Sequence, residues 1–247
     1  MKKDLYTISE NVKLIENIFK MTLQGDTASI QRPGQFINIA LPGHFLRRPI
    51  SVCDNSDTDV TIVYKIVGKG TAYMSSLCKG DKLDILSGLG NGYDTSVSGD
   101  KPLLIGGGVG TPPIYGLAKK LQELKVTPEV ILGFRTKADV FFIKEFEALG
   151  IKVTLTTEDG SAGIKGYVTE GMKHLKPSYI YACGREEMLR AVYGSGDTDG
   201  QYSFEERMAC GFGACMGCSC KTVTGYKRIC KDGPILRRDE ILWTTSE

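Results

Sequence analysis

The sequence predicts an antiparallel β-rich unit, then a doubly wound parallel α/β unit, ending in a short cysteine-bearing tail. Three observations predict this order. Residues 1–98 break into short alternating segments punctuated by Gly, Pro, Asp and Asn. From residue 99 onward, buried-type strands alternate with helical stretches. Five of the eight cysteines fall between positions 210 and 230. With 247 residues, 41% of them apolar and 24% charged, the chain has material for two cores and an appendage.

In the first unit, Gln35 to Ala40, Val60 to Val67 and Lys82 to Leu86 read as strands. Strands at this spacing, separated by turn residues, form a barrel or a sandwich. The polar, glycine-rich stretch Ser87 to Gly99 marks the boundary. In the second unit, Lys101 to Ile105 is a strand that a glycine turn leads into a helix over about Pro112 to Leu124. Val130 to Phe134 follows as a strand and Lys144 to Leu149 lies on a helix. Val153 to Thr157 and Tyr179 to Ala182 add two further strands, and residues 184–194 form a helix that stops at Gly194. Strands alternating with helices indicate a parallel sheet. The segment Gly194 to Gly200 reads as a linker into the tail.

The tail carries the strongest signal. Cys210, Cys215 and Cys218 follow the spacing C-x4-C-x2-C, and Cys230 adds a fourth thiolate. This is the plant-type [2Fe–2S] pattern, in which four thiolates hold two ferric ions. Gly211, Gly213, Ala214 and Gly217 keep the loop small enough for main-chain N–H groups to approach sulfur. A structural zinc site also uses four cysteines, but usually as two short knuckles. Here three ligands share one loop and the fourth stands alone, which favours the cluster. Cys220 reads as a non-ligand.

The turn Gly106-Gly-Gly-Val-Gly110-Thr111 joins a strand to a helix start. Such a turn brings phosphates to unpaired N–H groups at a helix N-terminus. It is not the strict G-x-G-x-x-G fingerprint, because proline stands where that motif wants its third glycine. Thr111 is expected to cap the helix, and Pro112 sits at a tolerated first-turn position. Arg48 and Ser51 place a guanidinium and a hydroxyl at the ends of a four-residue segment suited to a diphosphate or a flavin edge. On spacing alone, the plainer reading is an arginine solvated on a barrel surface. Cys183-Gly184 follows a buried strand where α/β proteins place ligands, although a lone cysteine there more often packs a core. Cys53 and Cys78 read as buried packing residues. The only histidines, His44 and His174, fall in different units, so no Ser/His/Asp or Cys/His site is indicated.

A net charge of +2 gives no field to attract nucleic acid or an anionic membrane. The N-terminus has no apolar h-region, and the longest apolar runs are strand-sized, so a cytoplasmic protein is expected.

Taken together, these residues resemble the ferredoxin-reductase superfamily, and more closely its dihydroorotate dehydrogenase B electron-transfer branch. The resemblance rests on Arg47-Arg-Pro-Ile-Ser51, Val63-Tyr-Lys65, Gly68-Lys-Gly-Thr71 and Leu89-Gly-Asn-Gly92. It continues through Gly106 to Pro113, Ala182-Cys-Gly184, Glu205 to Cys215 and Cys230 to Pro234, in order along nearly the whole chain. It implies an FAD-binding β-barrel over 1–98, a ferredoxin-reductase-like NAD-binding α/β domain over 99–200, and a [2Fe–2S] domain over 201–247. FAD contacts map to Arg48, Pro49, Ile50, Ser51, Val63, Tyr64, Lys65, Gly70 and Thr71. NAD contacts map to Cys183 and Gly184, beside the turn of Gly106, Gly108, Gly110 and Thr111, and the cluster ligands are Cys210, Cys215, Cys218 and Cys230. The implied partner is an FMN-containing catalytic subunit that oxidises dihydroorotate, in a heterotetramer with two copies of each subunit. A related reductase subunit serving ferredoxin or a sulfur compound is the alternative.

Overall fold

The computed structural model describes residues 1–243. Six strands close an antiparallel barrel: β1 (Lys2–Ile15), β2 (Ile18–Gln24), β3 (Phe36–Ile39), β4 (Arg48–Asn55), β5 (Asp59–Lys65) and β6 (Lys82–Leu89). Their order around the barrel is β1-β2-β5-β4-β3-β6. The alternation in β6, whose Leu83, Ile85 and Leu89 are buried, follows from the two-residue period of a strand with one wet face. Tyr6, Ile8, Met21, Ile37, Ile39 and Ile62 fill the interior. A short helix, α1 (Lys69–Ser76), closes one end.

The closure is uneven. Along β4, Arg48–Ser51 pair with β3, whereas pairing to β5 is confined to Val52–Asn55. On the other side, Val63–Lys65 of β5 pair only with β2. The two strands therefore splay apart, and each presents a main-chain edge with no strand partner across the seam. Main-chain donors and acceptors demand partners, so a seam of this kind is a place for a ligand.

The second unit is a seven-stranded sheet. Its strands are β7 (Pro102–Gly107), β8 (Glu129–Phe134), β9 (Val153–Thr157), β10 (Ile164–Lys165), β11 (Tyr179–Cys183), β12 (Gly200–Ser203) and β15 (Ile235–Arg237). The order is β10-β9-β8-β7-β11-β12-β15, parallel except for the last strand. The chain reverses its direction of progress across the sheet between β7 and β11, where open α/β sheets bind ligands. Helices α2 (Thr111–Glu123), α3 (Ile143–Ala148), α4 (Val168–Met172) and α5 (Glu186–Gly194) complete the unit. Residues 200–203 and 235–237 thus extend this sheet. The cysteine-bearing segment projects between them, with its own two-stranded ribbon, β13 (Ser219–Thr222) and β14 (Gly225–Arg228).

The units share cores. Ile18, Cys53 and Val63 of the barrel pack with Leu104, Ile114 and Leu117 of the sheet layer. Phe36 and Leu89 pack with Ile105, Cys218, Cys230 and Leu236. An ion pair between Lys119 on α2 and Asp54 on β4 adds to the first junction. Two sequence expectations are corrected. Cys78 is exposed, because it lies in the turn after α1 and not on a strand. Thr111 does not cap α2: Gly110 occupies the cap position, and the threonine hydroxyl is buried without a partner. No helix among the described residues is long and apolar enough to cross a membrane.

Candidate functional site

The first station is the barrel seam. In β4 the side chains alternate, so Ile50 packs toward the barrel core while Pro49 and Ser51 share the outer face with their partners Asn38 and Phe36. All four residues from Arg48 to Ser51 are only half-buried. In β5, Val63 and Lys65 face out and Tyr64 faces in, with its hydroxyl donating to Asn11 Oδ1 at 3.0 Å. Tyr64 therefore offers the seam its main chain and not its ring. Arg48 lies over Gly70 so closely that a β-carbon there would strike the guanidinium. This gathers Arg48, Gly70 and Thr71 at the start of α1. Thr71 Oγ1 accepts the Val67 N–H at 2.9 Å and so fixes the first turn. A guanidinium beside a helix N-terminus suits a diphosphate.

The second station is a cleft of about 760 Å³ at the carboxyl ends of the sheet strands. Lys65 and Val67 of the barrel line one wall, and Gly107, Gly108, Thr156 and Gly184 line the other. The glycine turn and Cys183-Gly184 meet directly: Cys183 pairs with Gly106 across β7 and β11, and a β-carbon on Gly110 would strike the Cys183 carbonyl. Glycine at 110 is thus a requirement of close approach. Thr156, in the cleft lining, holds a buried hydroxyl without a partner, capacity that a bound polar ligand would use. The Cys183 thiol is buried under Tyr93, and burial pushes it up to about 12, so it is a neutral thiol.

The third station is the cysteine lobe. Cys210 Sγ accepts the Cys215 N–H at 3.4 Å, and Cys218 Sγ accepts the Cys230 N–H at 3.4 Å. Cys210 thus lies beside Cys215, and Cys218 beside Cys230, with the two pairs close enough for Cys210 to act on Cys230. Two neighbouring pairs of thiols fit the two irons of a [2Fe–2S] cluster, one pair to each. Burial pushes the Cys210 thiol up, but the N–H groups of Cys215, Phe212 and Ala214 outweigh it and bring the group down to about 6. Cys230, buried and beside Cys218, is raised to about 12. Arg228 braces the lobe: Nη1 donates to the Gly213 carbonyl at 2.8 Å while Nε donates to Asp232 at 3.1 Å, on either side of Cys230. Cys220, on β13, is half-buried outside both sulfur pairs, and its thiol is raised by burial.

Sequence reasoning missed Asn38 and Arg228. Asn38 sits in an alternating strand where a polar residue reads as solvent-facing, yet it is 1% exposed because the lobe covers that face. Arg228 carries no motif, and only its place two residues before Cys230 hinted at its position.

Two family models match. Residues 104–193 match an oxidoreductase NAD-binding domain, and residues 205–242 match the iron–sulfur cluster binding domain of dihydroorotate dehydrogenase B. The electron transfer subunit of dihydroorotate dehydrogenase B (NAD(+)) from Fusobacterium nucleatum is 40% identical, with 98% of this chain and 99% of that protein aligned. Its counterpart from Bacillus pumilus is 40% identical over 98% of each. A solved structure of an NADH-dependent reduced ferredoxin-NADP oxidoreductase, described in work on flavin-based electron bifurcation, superposes with a TM-score of 0.87 at 31% identity. It covers 97% of this chain and 90% of its own. Phthalate dioxygenase reductase, at 18% identity and a TM-score of 0.66 over 78% of this chain and 64% of its own, shares the fold. Matched at 40% identity over almost its whole length, the chain belongs to the family of dihydroorotate dehydrogenase B electron-transfer subunits.

Proposed function

We propose that the chain moves electrons from the FMN of a dihydroorotate-oxidising catalytic subunit, through a [2Fe–2S] cluster and FAD, to NAD+. The observation that carries this reading is the order of the stations. The paired sulfurs stand against the outer barrel face, the open seam follows, and the seam leads into the cleft at the sheet's point of reversal. Flavin bound in the seam supplies the place where single-electron chemistry and hydride chemistry meet.

The residues then have distinct tasks. Arg48 and the α1 N-terminus with Gly70 and Thr71 hold the FAD diphosphate. Pro49, Ile50, Ser51, Val63, Tyr64 and Lys65 border the ring system, Tyr64 through its main chain. Gly106, Gly108, Gly110 and Thr111 let the NAD phosphates approach α2, and Cys183 with Gly184 lies at the nicotinamide end. Cys183, being neutral, adds no charge that would oppose hydride leaving for NAD+. Cys210, Cys215, Cys218 and Cys230 hold the irons in the two pairs described. No side chain of this subunit needs to act as a general acid or base, because the orotate chemistry belongs to the partner. The setting is the cytoplasm, and the assembly is a heterotetramer with two copies of each subunit.

A second reading, a reductase subunit serving ferredoxin, is favoured by the 31% identity to the ferredoxin-NADP oxidoreductase chain. Co-expression with the FMN subunit separates the two. The first reading expects a stable complex in which dihydroorotate reduces NAD+. Failure to bind that subunit, together with NADH-driven reduction of ferredoxin, would establish the second.

A further inference from the structure

We propose that Asn38 couples the flavin strand to the cluster loop, fixing the Cys210 segment against β3, the neighbour of β4, and providing the bonded route for electrons between them. The proposal rests on the cofactor assignments above. Asn38 is the residue on which both binding segments converge. Its main chain pairs with Pro49, inside the Arg48–Ser51 segment, and its carbonyl accepts Arg47 Nη1 at 3.2 Å. Arg47 also donates to Asp84 Oδ1 at 2.7 Å, which locks that side of the barrel. On the opposite side, Asn38 Nδ2 donates to the carbonyl of Cys210 at 3.4 Å.

The contact is built from both directions. Gly211, immediately after the first ligand, has φ +77°, and a β-carbon there would strike the Asn38 amide. The loop can therefore settle on the barrel only with glycine at 211 and a side chain no bulkier than this one at 38. The Asn38 side chain is 1% exposed, and its Oδ1 has no hydrogen-bond partner. A buried amide that spends only one of its groups is costly, and a barrel strand has no structural need of it. An aliphatic residue, like Ile37 and Ile39 on either side, would serve the barrel as well. What the amide adds is a polar link between the two redox segments, with one acceptor in reserve for the loop once irons are bound.

The electron count is simple. With both groups bound, each crossing would take one electron from the reduced cluster to the flavin, and two such electrons with one proton from solvent would make up the hydride that NAD+ receives. Asn38 itself is neither oxidised nor reduced; it is a positioning residue.

The test compares the wild-type complex with Asn38→Leu, Asn38→Ser, Asn38→Ala, Gly211→Ala and the Asn38→Ala/Gly211→Ala double variant. Three readouts are needed: iron per flavin, NADH turnover with a dye that accepts directly from flavin, and NADH-driven cluster bleaching by stopped flow. In Asn38→Leu and Asn38→Ser, dye turnover should stay within about twofold while cluster reduction slows by roughly tenfold or more, as a displaced reacting group does. Loss of iron with dye turnover retained also supports the anchoring role. The double variant should lose less than the sum of its parts, because alanine at 38 makes room for the new β-carbon. Full iron content and a wild-type bleaching rate in Asn38→Ser, or strict additivity in the double variant, would overturn the proposal. Absence of NADH-driven bleaching in the wild type would instead overturn the cofactor reading on which it rests.

Discussion

Cys183 at the end of β11 and Cys210 at the head of the cluster loop are both desolvated thiols near a redox station, and they are driven in opposite directions. Cys183 is raised to about 12 and Cys210 is lowered to about 6. Desolvation is the largest influence on each. The difference lies in the main chain. At Cys210, the main-chain N–H groups of Phe212, Ala214 and Cys215 point at the sulfur, in a loop where Gly211 and Gly213 both take positive φ. At Cys183 the main chain is spent in the parallel sheet, pairing with Gly106 on one side and Ser203 on the other, and the Ser203 and Tyr93 side chains that favour the thiolate do not outweigh burial. Of two thiols under the same dominant influence, the one met by main-chain N–H groups is held toward the thiolate and the one without them is kept neutral.

The largest effect that sharpens this contrast comes from the ligands. Cys215→Ser should remove essentially all iron while leaving NADH-to-dye turnover by the flavin in place, whereas Cys183→Ala should leave iron content unchanged. Iron per chain by colorimetry checks both, and a Cys215→Ser protein with full iron breaks the comparison.

Next is the seam. Arg48→Ala removes a charge-assisted contact of about 1.5–3 kcal/mol, so FAD affinity should fall roughly ten- to a hundredfold with the cluster untouched. Flavin release on gel filtration measures it.

The smallest effect is read by alkylation of the iron-free protein. Cys210 has its pKa depressed from the ordinary thiol value of 9.0, so its thiolate is present above about pH 6 and is lost as pH falls through that value. The stability it contributes runs the same way, full above the ordinary thiol value and declining as pH drops toward 6. Cys183, raised to about 12, should resist iodoacetamide up to pH 9. Peptide mapping across pH 5 to 9 should show Cys210 labelled with a midpoint near pH 6 and Cys183 unlabelled. Equal labelling of the two would remove the distinction.

The sequence made these stations legible to unequal degrees. The C-x4-C-x2-C spacing is local, so the cluster loop and its glycines could be read directly, as could the turn from Gly106 to Gly110. Arg48 to Ser51 could not be assigned from spacing, because what marks the segment is a missing strand partner across β4 and β5, a property of register. The placement of β12 and β15 in the parallel sheet was hidden for a similar reason. Two strands of four and three residues find each other across some thirty residues of lobe, and neither has a long enough pattern to announce itself. Asn38 gave no signal in the sequence, because the surface that buries it arrives from residue 210, far along the chain.

The most direct measurement is an anaerobic titration of the purified protein with NADH, followed by visible absorption and by electron paramagnetic resonance. Bleaching of flavin accompanied by the signal of a reduced [2Fe–2S] cluster, close to one spin per chain at full reduction, is the predicted result. Flavin that bleaches while the iron remains oxidised, or iron that is absent from a fully folded protein, would contradict the account.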